Sequence, residues 1–119
     1  MANVLVVDDI AIMRNVIKRH IIKLGHTVVA EAENGHNAII QYKRFNPDIV
    51  TMDVTMPAEN GVKNGIDALK LIKEFDSNAK VVMVTSHGEE KLRTLFSKLV
   101  VSSMVDISDL TITENIKEN

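Results

Sequence analysis

Cysteine and tryptophan are both absent from the 119 residues. Without cysteine there are no disulfides, no thiolate metal sites and no cysteine nucleophile. Aromatic residues make up only 3%, so a core has to be assembled from Val, Ile, Leu and Met. No internal repeat, low-complexity tract or linker interrupts the chain. A formal charge of −2 exerts no long-range pull on nucleic acid or anionic lipid, so direct nucleic-acid binding is not expected. The longest apolar runs fall far short of the roughly 20 residues that cross a bilayer, which argues against membrane insertion. Met1, Ala2 and Asn3 lead straight into an apolar run, with no basic leader or small-residue cleavage site. A cytoplasmic protein is the expectation.

What is present is the balance of a folded domain: 45% hydrophobic and 25% charged residues, in a length that suits one domain spanning 1–119. Short β-branched runs alternate with segments of helical period. Val4–Val7 reads as a buried strand, followed by a helical stripe of Ile10, Met13, Ile17, Ile21 and Leu24 that stops at Gly25. Thr27–Ala30 is a second strand. Ala38, Ile39, Tyr42 and Phe45 mark a second helix, closed by Asn46 and Pro47. Ile49–Met52 is the third strand, Ile66, Leu69, Ile72 and Phe75 mark the third helix, and Val81–Val84 is the fourth strand. Leu92, Leu95, Phe96 and Leu99 stripe a fourth helix. Beyond it, 99–101 and 104–107 both fit a fifth strand, of which the second leaves the fourth helix whole; a brief helix over 110–117 follows.

Apolar strands separated by helices predict an α/β fold: a doubly wound, five-stranded parallel sheet of order 2-1-3-4-5, flavodoxin-like, with helices on both faces. In such a sheet ligands bind beyond the carboxyl ends of the strands, where the strand order reverses. Asp8 and Asp9 follow the first strand, Asp53 the third, and Thr85 and Ser86 the fourth. Three carboxylates brought together repel one another unless a cation sits among them, and Mg²⁺ suits a few carboxylates, a carbonyl and retained waters. One carboxylate then serves as a nucleophile, and the hydroxyls can hydrogen-bond phosphoryl oxygens. A plainer reading of Asp8 and Asp9 makes Asp9 the N-cap of the first helix.

These residues together resemble the receiver domains of two-component signalling, with closest similarity to the single-domain chemotaxis regulators. Val4 to Arg14 resembles the family's opening strand, acidic pair and first helix. Pro47 to Pro57 resembles its phosphorylation strand and loop, and Val81 to Ser86 the strand that ends in a switch hydroxyl. The resemblance implies that Asp53 accepts a phosphoryl group from a histidine kinase. Asp8, Asp9, Asp53 and the backbone carbonyl of Thr55 would hold Mg²⁺, and Thr85 would move toward the phosphoryl group. The signal would leave by protein–protein contact with a downstream target in the flagellar or chemotaxis machinery. At most slow self-dephosphorylation is implied, so the protein is a switch rather than an enzyme.

Two features depart from the family. The spacing of Asp53, Met56, Pro57 and Gly61 fits its loop, yet a second Asn-Gly follows at Asn64 and Gly65. The third helix starts better after Gly65, four residues later, which predicts a longer and more mobile loop. The family's lysine at the end of the fifth strand has no counterpart near Ile107 and Ser108, and Lys98 comes too early. Residues 99–119 are therefore atypical. Three other readings compete: a phosphorylation-independent pseudo-receiver, the N-terminal fragment of a longer transcriptional regulator, and a metal-dependent phosphatase, which lacks a general acid at Thr55. Among the remaining residues, Arg14 and Lys18 read most simply as solvated helix positions. His20 reads as packed or partly exposed, His26 and His36 show no metal spacing, and His87 lies on the site rim or the loop surface. The Met residues read as core fillers.

Overall fold

A computed structural model describes residues 1–84 of the chain. The β-branched runs form four strands, β1 (Asn3–Val7), β2 (Thr27–Ala32), β3 (Ile49–Asp53) and β4 (Val81–Val84). Between them run three helices, α1 (Ala11–Lys23), α2 (Gly35–Phe45) and α3 (Gly65–Phe75). All strand pairs are parallel and the order is β2-β1-β3-β4. This is the expected order for the first four strands. The expected fourth helix, fifth strand and last helix lie outside the described residues.

Alternation along each strand sends successive side chains to opposite faces, and both faces are covered. Leu5, Val7, Val50, Met52 and Met83 pack with Ala38 and Tyr42 of α2 and Leu69 and Ile72 of α3. Val4, Val6, Ile49, Val82 and Val84 pack on the other face with Ile17 and Ile21 of α1. Met52, Met56 and Met83 are buried fillers, as expected, whereas Met1 is exposed. Among the described residues no helix is long and apolar enough to cross a membrane.

Local signals set the helix ends. The Asn34 side chain accepts the Asn37 amide at the start of α2, and Asn64 accepts that of Asp67 at the start of α3. Asn46 ends α2 in the left-handed conformation. Three stripe residues depart from the sequence reading. Ile10 is the N-cap of α1 and half exposed, and Phe45 and Phe75 end their helices on the outside. A three-residue step falls about 60° short of a full helical turn, so a stripe continued by such steps drifts off the buried face by the last turn of a helix. Phe75 instead packs edge-on against Tyr42, with ring centroids 6.4 Å apart and Lys43 above it. β2 is also less buried than a central strand, because it lies at the sheet edge.

Candidate functional site

β1 and β3 are neighbours, while the chain runs outward to β2 on one side and β4 on the other. The switch point of the sheet therefore lies between the carboxyl ends of β1 and β3. Asp8 and Asp9 follow β1, and Asp53 is the last residue of β3 itself rather than the residue after it. One carboxylate oxygen from each of Asp8, Asp9 and Asp53 lies within 4.8 Å of the others. Asp8 and Asp53 are buried and Asp9 is exposed.

The Asp8 and Asp53 carboxylates are each held by a backbone amide. The Asp8 amide donates to the Ala32 carbonyl at 3.1 Å, extending the β1–β2 pairing by one residue. Asp8 Oδ1 accepts the Ile10 amide at 2.9 Å, folding the turn back before α1 begins. Asp9 does not cap α1; the N-cap is Ile10, and no side chain caps it. Asp53 pairs in register with Val84, and the Val54 amide donates to the Val84 carbonyl at 3.4 Å. The Thr55 amide donates to Asp53 Oδ1, also at 3.4 Å, and the Thr55 side chain faces solvent. Two buried carboxylates beside a third need a compensating charge. An all-oxygen donor set open on one side, at Asp9, suits a hard cation. The three aspartates can hold a metal ion.

The longer loop after Asp53 has its own order. Glu59 and Val62 exchange two backbone hydrogen bonds of 3.0 Å across a two-residue turn. Asn60 and Gly61 at its tip both have positive φ, 48° and 81°. That is the type I′ geometry that Asn-Gly favours. Met56 and Val62 are buried in the core, and the Asn60 side chain meets His36 of α2 at 2.9 Å. Within this longer loop, residues 59–62 form a hairpin turn docked on the core. Gly65 then lies against the Asp53 carbonyl, and its amide donates to the Val54 carbonyl at 2.8 Å.

Arg14 and Lys18 are not simply solvated. Both pair with Glu31 of β2, and Arg14 also donates to the Asp8 carbonyl at 2.8 Å. A charged residue next to the carboxyl end of β2, opposite two cations spaced i and i+4, is the signal that could have revealed this network. His20 is half-buried; His26 is buried, with Nδ1 accepting the Ala2 amide. Thr85, Ser86, His87 and the position expected for the family's lysine lie outside the described residues.

Residues 4–106 match the response regulator receiver domain family. Chemotaxis protein CheY of Bacillus subtilis is 47% identical over 89 residues, covering 75% of this chain and 71% of its own. Chemotaxis protein CheY of Thermotoga maritima is equally similar, at 47% identity over 89 residues and the same coverage. Among solved structures, the CheX–CheY–BeF₃–Mg²⁺ complex of Borrelia burgdorferi superposes with a TM-score of 0.70 at 32% identity, over 87% of this chain and 90% of that one. Family match, relatives and fold agree with the acidic switch point. The chain therefore belongs to the response regulator receiver domain family of two-component signal transduction.

Proposed function

We propose that this receiver is a phospho-acceptor switch: a partner histidine kinase transfers a phosphoryl group to Asp53, and the change is read by a downstream protein in the chemotaxis or flagellar machinery. The observation that carries this reading is the convergence of Asp8, Asp9 and Asp53 within 4.8 Å at the switch point. Asp8, Asp9, Asp53 and the Thr55 carbonyl are the residues that would hold Mg²⁺. When bound, the ion offsets the charge of the carboxylates and of the incoming phosphoryl group.

The chain's own residues supply the rest. An Asp53 carboxylate oxygen attacks phosphorus as the bond to the donor imidazole nitrogen breaks, and that imidazole takes a proton from solvent. The Thr55 amide, bonded to Oδ1, orients the carboxylate. Gly65 packs behind the Asp53 carbonyl and keeps the end of β3 in place. Attack of water on the acyl phosphate later returns free Asp53 and inorganic phosphate. Thr85 is proposed as the hydroxyl that closes on the phosphoryl group and carries the signal to protein partners in the cytoplasm.

The lack of a lysine near Ile107 favours a second reading, a pseudo-receiver that binds partners without phosphotransfer. Intact-protein mass separates the two after incubation with Mg²⁺ and acetyl phosphate. A phosphate adduct that needs both Mg²⁺ and Asp53, and is lost in Asp53→Ala, supports the switch. A folded protein that acquires no adduct supports the pseudo-receiver.

A further inference from the structure

The turn that carries Asp8 and Asp9 has no ordinary helix cap. Ile10 is the N-cap of α1, its side chain caps nothing, and the first turn of α1 contains no acidic residue. The Asp8 Oδ1–Ile10 amide hydrogen bond is one restraint on this turn, and carboxylates held together against their mutual repulsion call for another. Arg14, in the first turn of α1, supplies one. Its Nη1 reaches back to donate to the Asp8 carbonyl at 2.8 Å, while its Nε donates to Glu31 Oε1 at 3.1 Å. Glu31 Oε2 accepts Lys18 at 2.8 Å. Arg14 is the best shielded of the three, its side chain only 18% exposed. One guanidinium therefore bridges the acidic turn and the neighbouring strand β2, with the fixed fork geometry that suits arginine and not lysine.

We infer that Arg14, anchored by Glu31, is a positioning residue for the metal centre: it holds the β1–α1 turn so that Asp8 and Asp9 face Asp53. This rests on the reading of the aspartate cluster as a Mg²⁺ site. Positioning and simple electrostatics act on Mg²⁺ binding with opposite signs. A cation beside three carboxylates competes with Mg²⁺, so removing its charge alone tightens Mg²⁺ binding. Removing a residue that orients metal ligands weakens binding, typically by roughly 10- to 100-fold. Lys18 provides the internal control, because it pairs with the same Glu31, whereas Arg14 also donates to the Asp8 carbonyl.

Calorimetric titration of the protein with Mg²⁺ alone, at fixed ionic strength, tests the inference in wild type, Arg14→Ala, Arg14→Lys, Glu31→Gln and Lys18→Ala. Circular dichroism confirms that each variant is folded. The expected result is Mg²⁺ binding at least roughly 10-fold weaker in Arg14→Ala and Arg14→Lys, with a smaller loss in Glu31→Gln. Arg14→Ala/Glu31→Gln should be no weaker than Arg14→Ala, because Glu31 acts through Arg14. Lys18→Ala should bind as wild type does. Equal or tighter binding in both Arg14 variants, or an equal loss in Lys18→Ala, overturns the role of Arg14 and leaves the aspartate site standing. If wild type takes up no Mg²⁺, the metal-site reading fails and this inference fails with it.

Discussion

The backbone of Gly65, the first residue of α3, lies against the carbonyl of Asp53, the last residue of β3. A Cβ at Gly65 would collide with the Asp53 carbonyl oxygen and come within 2.9 Å of its carbonyl carbon. In an exposed helix, Gly→Ala stabilises by about 0.5–1 kcal/mol. Here the sign should reverse. Gly65→Ala is expected to cost about 1–3 kcal/mol in urea unfolding, the usual range for overpacking, and to slow formation of any Asp53 adduct.

The Asn60-Gly61 turn should behave differently. Nothing lies within 4 Å of a Cβ placed at Gly61, so only the backbone at φ 81° resists a side chain. Gly61→Ala should cost about 1–2 kcal/mol, the price of a left-handed residue. If the turn acts only as a strut, acetyl phosphate labelling of the folded variant should match wild type.

Mg²⁺ should stabilise the fold measurably. A ligand at 100 times its Kd adds about 2.7 kcal/mol when it binds only the native state. Thermal unfolding with and without Mg²⁺ should show that increment in wild type and none in Asp8→Ala. An equal shift in both would place the ion elsewhere.

Two residues of the α3 stripe should separate cleanly. Ile72 is 1% exposed, and Ile72→Ala should cost about 2–5 kcal/mol. Phe75 is 57% exposed, and loss of its contacts with Tyr42 and Lys43 should cost under about 1.5 kcal/mol. Urea midpoints of the two variants check the ranking.

Stability should also depend on pH through two groups. The Lys18 hydrogen bond holds the Glu31 carboxyl below its usual 4.5, against partial burial and with help from Arg14. A depressed folded value contributes stability above pH 4.5 that is lost as pH falls through that value. The wild-type advantage over Glu31→Gln should therefore be under about 1 kcal/mol at neutral pH and shrink in acid. Burial and the Asp76 carboxylate push the Tyr42 hydroxyl above its usual 10.0, so its contribution is present below that pH and lost as pH climbs toward the folded value. Tyr42 is the only tyrosine, so tyrosinate absorbance follows it alone. The native midpoint should lie above that of unfolded protein.

Much of this protein was legible in one dimension. The strands Val4–Val7, Ile49–Met52 and Val81–Val84 announce themselves as β-branched runs, because a strand covered on both faces needs apolar side chains on both. Asn46 marks the end of α2 through local chemistry, and local chemistry can be read without a partner. The placement of Asp8, Asp9 and Asp53 at strand ends was likewise visible, since the alternation of elements dictates which ends share a side of the sheet.

Tertiary structure decided what depends on contacts distant in sequence. Asn60-Gly61 could signal a turn, but only docking of Met56 and Val62 into the core makes the longer loop an ordered hairpin. Phe45 and Phe75 face outward because a stripe continued in three-residue steps lags the helical turn by about 60° at each step and leaves the buried face. Arg14 and Glu31 stand 17 residues apart and meet only because β2 returns beside β1. Their pairing needs a guanidinium and a carboxylate within 3.1 Å, a distance set by strand register and helix placement together.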